Sequence, residues 1–126
     1  MTKMQTLYSF FSSFGIPAYE ENSIYSSKVA PQMPYITYTV TTDSFGGGDV
    51  PISCSIWYRT TSWKEPEQKS DEISAAIGYE GKVIKADDGY VWLKRGSPFS
   101  QNMADPSDDL VKRKYINIMA EYLTAY

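Results

Sequence analysis

The sequence predicts an α+β domain built on a mixed, mainly antiparallel β-sheet with two helices packed on one face. Three observations predict it. Residues 34–59 hold two runs of alternating apolar and hydroxyl side chains joined by a glycine-rich stretch. Asp87-Asp88-Gly89 joins a second pair of alternating runs. The segments 2–14 and 64–78 carry helical periodicity between capping and stop residues. At 126 residues the chain reads as one domain over its whole length, 1–126, large enough to bury a core without staples.

The first helix is predicted from Met4, Leu7, Tyr8, Phe11 and Phe14, which recur at helical spacing and so share a face. Thr2 suits its N-cap and Gly15 the position just past its end. Ile16-Pro17-Ala18-Tyr19 reads as a short strand that Pro17 confines to an edge. Residues 20–34 are polar, bear Pro31 and Pro34, and read as a long surface loop.

The 34–59 hairpin follows. Ile36, Tyr38 and Val40 fall on one side of the first run, and Tyr35, Thr37, Thr39 and Thr41 on the other. In the return run Ile52, Cys54, Ile56 and Tyr58 alternate with Ser53, Ser55, Trp57 and Arg59. Each run therefore has one apolar side and one hydroxyl-rich side, the pattern of a sheet covered on one face. The glycines Gly46-Gly47-Gly48 lead into Val50-Pro51 and a strand, with neither the helix nor the Lys-Ser/Thr pair that a phosphate loop needs. They read as a hairpin tip carrying Phe45.

The second helix is predicted over 64–78, with Pro66, Glu65 and Glu67 in its first turn, a narrow stripe of Ile73, Ala76 and Ile77, and Gly78 as the stop. Its carboxylates, Glu65, Glu67, Asp71 and Glu72, read as a solvated face. Residues 82–86 and 90–95 then form a tight hairpin about Asp87-Asp88-Gly89, with Val83, Tyr90 and Trp92 as packing residues. Residues 96–109, GSPFSQNMADPSDD, read as a second long loop. The last run, 110–126, fits a helix through Ile116, Met119, Ala120 and Leu123, and equally a strand through Ile116, Ile118, Ala120 and Tyr122.

Composition narrows the chemistry. The chain has no histidine, so the commonest general base and transition-metal ligand is missing, and no catalytic, cofactor or metal motif is recognisable. Cys54 is the single cysteine and reads as an inert buried thiol. A net charge of −3 without a basic tract argues against duplex binding by phosphate neutralisation. There is no membrane-length apolar run and no signal-peptide core, so the expectation is a cytoplasmic chain. Aromatics reach 15%, which fits either strand packing or an interaction surface.

One family resemblance covers most of the chain. PYITYTVTTDSFG at 34–46, SIWYRTTSW at 55–63 with the EPEQKSDEISAAIG segment after it, and DDGYVWLKRGSPFSQNMADPSDDLVKRKYINIMAEYL at 87–123 resemble the tail terminator, or tail completion, proteins of long-tailed phages and prophages. None of these is a catalytic motif; they are structural signatures. The resemblance implies a strand over 111–123 and a non-enzymatic role. Such proteins form a hexameric ring at the head-proximal end of the tail tube. The ring stops tube growth, receives the head-completion proteins of the neck, and lets DNA pass through its lumen unread. The implied partners are thus other copies of the chain, the tube protein and neck proteins, in the virion after assembly in the host cytoplasm. The contact candidates lie on three loops: Tyr25 and Lys28; Phe45, Gly46, Gly47, Gly48 and Asp49; and Phe99, Gln101 and Asp105. Two other readings stay open, a different neck component such as a head-completion protein and a small adaptor that binds peptides at a sheet edge.

Overall fold

The computed structural model describes residues 1–25 and 31–126. The chain runs α1 (Lys3–Phe11), a 3-10 turn (Ser12–Phe14), β1 (Ala18–Glu20), α2 (Glu21–Tyr25), β2 (Tyr35–Tyr38), β3 (Asp49–Arg59), α3 (Lys64–Ile77), β4 (Lys82–Ala86), β5 (Gly89–Asp105) and β6 (Asp108–Thr124). The strands form one six-stranded sheet in the order β1-β2-β3-β6-β5-β4. β1 pairs with β2 in parallel, and the other neighbours are antiparallel. The expected mixed, mainly antiparallel α+β fold is therefore the observed one.

Local chemistry explains the helix ends. Thr2 and Gln5 close a reciprocal capping box on α1, and Gly15 takes the left-handed conformation after the 3-10 turn. In α3, Pro66 lies in the first turn, where a missing N–H costs nothing. The buried stripe of α3 is Pro66, Ser70, Ile73 and Ile77, while Ala76 points outward. On α1 the buried set is Thr6, Leu7, Phe10 and Phe11, whereas Met4 and Tyr8 are exposed. Sheet contacts, which set the rotation of each helix, select among the apolar positions that periodicity proposes.

The core joins Leu7, Phe10 and Phe11 of α1 and Ile73 and Ile77 of α3 to the sheet side chains Ile36, Tyr38, Ile52, Cys54, Ile56, Tyr58, Val91, Leu93, Ile116, Ile118, Ala120 and Tyr122. Phe11 stacks on Tyr38 with ring centroids 4.5 Å apart. Each fully buried large side chain contributes about 1.5–3 kcal/mol. Cys54 lies in this core at 1% exposure, and burial pushes its thiol pKa up, as an inert packing residue requires.

The last run is a strand of 17 residues, hydrogen-bonded to β3 and β5. Three other expectations are corrected. Residues 96–109 are not a loop: β5 extends to Asp105 and β6 begins at Asp108. The register shifts between Arg95 and Ser100, then resumes with Ser100 opposite Ile116. Pairing with strongly alternating β6 overrides the turn-like composition of GSPFSQNMAD, because strand preference follows context. Residues 20–34 are not one loop either, since Glu21–Tyr25 is helical. In the β4–β5 hairpin the packing face is the other one. Val91, Leu93 and Ala86 are buried while Val83 and Tyr90 are exposed, because Leu93 faces Ala120 across β6. Trp92 packs over Gly81, where an added Cβ would lie 2.5 Å from its Nε1. Glycine is also required at Gly89: a Cβ there would stand 2.0 Å from the Leu123 carbonyl oxygen.

Candidate functional site

The sheet residues that alternate with the core set form a connected surface. Tyr19, Tyr35, Trp57, Arg113 and Tyr115 run across β1, β2, β3 and β6. The register makes them neighbours: Tyr35 lies opposite Trp57, and Trp57 opposite Arg113. Tyr19 meets Tyr35 edge to face at 5.9 Å, and Tyr35 stacks on Trp57 at 6.2 Å. The Arg113 guanidinium lies 4.8 Å from the Trp57 ring centre and 5.5 Å from that of Tyr115.

Hydroxyls one strand away hold this ladder in place. Trp57 Nε1 donates to Thr37 Oγ1 at 2.9 Å, and Arg113 Nε donates to Ser55 Oγ at 3.0 Å. Ser53 Oγ and the Tyr115 hydroxyl share a hydrogen bond of 2.7 Å. Thr37 and Ser55 are buried although they lie on the polar side of their strands. The hydroxyl-rich side read from residues 35–59 is therefore a set of struts that hold the aromatic rings. Trp, Tyr and Arg held in fixed rotamers are the composition of interface hot spots. Among the described residues Arg113 has no carboxylate in ion-pair range, so its charge stays available to a partner.

The ladder ends in a cleft of about 220 Å³ lined by Trp57, Met103, Asp105, Pro106, Val111 and Arg113. Ser107 donates to Asp105 through its hydroxyl and backbone N–H, and these bonds hold that carboxyl below the usual range. Arg59 binds Asp108 beside it and lowers the Asp108 pKa likewise.

The glycine tip lies at the other end of the sheet. Phe45 N–H donates to the Thr124 carbonyl at 2.9 Å, and Lys3 Nζ to the Asp43 carbonyl at 2.9 Å. Ser44 N–H caps the Asp43 carboxylate at 2.8 Å, and Gly47 packs so closely that a Cβ would meet that carboxylate at 2.0 Å. Phe45 is left 75% exposed on a base tied to β6. Asp49 pairs with Lys94, which also pairs with Glu121; the Asp49 bond is the main cause of the raised Lys94 pKa.

The contact candidates thus separate. Phe45, Gly46, Gly47, Gly48 and Asp49 stand together at the Thr124 end of β6. Gln101 faces Tyr115 across β5–β6, and Asp105 lines the cleft, so both join the ladder as strand residues and not as loop residues. Phe99 is partly buried and packs against the core. Lys28 and the side chain of Tyr25 lie outside the described residues. Sequence reading passed over Trp57, Arg113 and Tyr115 as contact residues. Their alternation was visible, but their mutual contact depends on the β3–β6 register, which joins segments more than fifty positions apart.

No family model, no curated protein and no solved structure matches this chain. Among the described residues no helix is long and apolar enough to cross a membrane, a statement that leaves strand-spanning barrels aside.

Proposed function

We propose that this chain is a non-catalytic assembly protein, a tail terminator that closes into a ring on the head-proximal end of a phage tail tube. The ladder of Tyr35, Trp57, Arg113 and Tyr115 carries the reading. A rigid aromatic–arginine surface on a sheet suits protein–protein contact, because its rotamer entropy is already spent by the hydroxyl struts. The resemblance of residues 34–46, 55–63, 65–78 and 87–123 to terminator proteins supplies the rest: six copies, the tube protein below, neck proteins above, and DNA passing through. A ring requires two different patches that meet head to tail, and ladder and glycine tip lie at opposite ends of β6.

The test is location. Gold-labelled protein should appear at the head–tail joint of virions, and tails made without it should overrun their normal length. A protein absent from purified virions sinks the reading. Density at the joint combined with tails of normal length in its absence assigns it instead to head completion.

A second reading has its own observation. β4 pairs with β5 only from Gly89 to Leu93, and among the described residues the outer edge of β5 beyond Leu93 has no strand neighbour. An adaptor that adds a peptide strand would use that edge. A pulldown that returns host proteins and no phage proteins would favour it.

A further inference from the structure

We infer that the exposed Phe45 of one copy seats in the Trp57–Met103–Val111 cleft of the next, the knob and hole of a head-to-tail contact. This rests on the ring reading and names the side chains that join its subunits.

Size points to a side chain as the occupant. At about 220 Å³ the cleft falls below the roughly 300–1,000 Å³ of small-molecule sites. Its walls select an aromatic ring. Trp57 with Arg113 stacked on it offers an aromatic–cation wall, Met103 a polarisable sulfur, and Val111 and Pro106 apolar surface.

The chain displays such a ring on a prepared base. Hydrogen bonds from Phe45 N–H to Thr124, from Ser44 N–H to Asp43 and from Gly47 N–H to Ser44 hold the tip while its ring stays in solvent. A presented aromatic side chain on a held backbone loses little freedom on docking.

Phe45 cannot fill the cleft of its own chain. The tip is tied to Thr124, whereas the cleft includes Val111 of the same strand, and the span between them is up to roughly 40 Å of β-strand. A second copy is therefore the occupant, and because the two patches differ the contact is heterologous, the kind a ring is built from. The charges on the two sides are mixed: Asp49 of the tip is paired with Lys94, and the cleft sets Asp105 beside Arg113.

The experiment is a disulfide trap between two full-length variants, Phe45→Cys and Met103→Cys, purified separately and mixed under mild oxidation. Both positions are exposed, and native Cys54 is buried and silent. The expected result is a crosslinked dimer that forms in the mixture far faster than in either variant alone. Phe45→Ser, checked by circular dichroism for an unchanged fold, should weaken self-association, raising its dissociation constant by roughly tenfold or more. Equal crosslinking in the mixture and in the single variants overturns the inference, as does undiminished association of Phe45→Ser. The ring reading is judged separately by virion location. Protein at the tail end without the Phe45–Met103 crosslink removes this contact and leaves the ring. A crosslink in a protein absent from virions keeps the contact and removes the terminator role.

Discussion

The two faces of the sheet contrast. On one, Ile36, Ile52, Ile56, Ile116 and Ile118 are wholly buried in the core that α1 and α3 complete. On the other, Thr37, Ser53 and Ser55 are spent on fixing Trp57, Tyr115 and Arg113. The first face gains stability from burial. The second uses polar groups to hold aromatic surface that the monomer only half covers. The difference teaches that polarity alone does not identify a solvent face: hydroxyls on a strand can hold neighbouring aromatic and arginine side chains in place.

The contrast breaks most visibly on the core face. Ile118→Ala should cost about 2–5 kcal/mol in urea unfolding, because a wholly buried side chain leaves a cavity. A cost below that range would mean that the core is loosely packed.

A charged side chain also intrudes on the core face. Lys114 is 5% exposed, with Nζ bound to Glu67 of α3 and, at 2.8 Å, to Asn102 Oδ1. Glu67→Ala should cost about 1–3 kcal/mol, since it strips the carboxylate from a buried ammonium. Loss of stability in Glu67→Ala that disappears in Glu67→Ala/Lys114→Met would show that the unpaired charge is the cause.

Ser55→Ala, on the ladder face, should cost only about 0.5–1.5 kcal/mol in stability, the weight of one hydrogen bond. Its effect on self-association, read by sedimentation, should be the larger one, because Arg113 loses its fixed position. Equal losses in both would erase the distinction between the faces.

Tyr122→Phe should change neutral-pH stability least, by less than about 1 kcal/mol and toward greater stability. Among the described residues the buried Tyr122 hydroxyl has no hydrogen-bond partner, so its removal deletes an unsatisfied group. Its signature lies in alkali. Burial raises the Tyr122 pKa to about 12, as it does for Tyr38, where Glu20 and Tyr8 add to the shift. The unfolded chain ionises first, near pH 10, so stability holds below that pH and falls as pH rises toward 12. Tyr122→Phe should make that fall shallower in unfolding curves taken across this window. An unchanged slope would place the ionisation elsewhere.

Local sequence by itself determined the elements whose causes are local. The capping box at Thr2, the Asp87-Asp88-Gly89 turn, Pro66 at the start of α3 and the strand over Asp49–Arg59 have causes within a few positions, and each lies where the residues place it, whereas β2 stops at Tyr38, short of the run read through Thr41. Tertiary structure decided what depends on register. It made 110–124 a strand, carried β5 through Gly96 and Pro98, and turned Val91 and Leu93 inward in place of Tyr90 and Trp92. It also gathered Trp57, Arg113 and Met103 into one cleft. The physical reason is common to these. A strand's faces, extent and neighbours are set by hydrogen bonds to another strand, and β6 supplies those bonds to β3 and β5 from the far end of the chain.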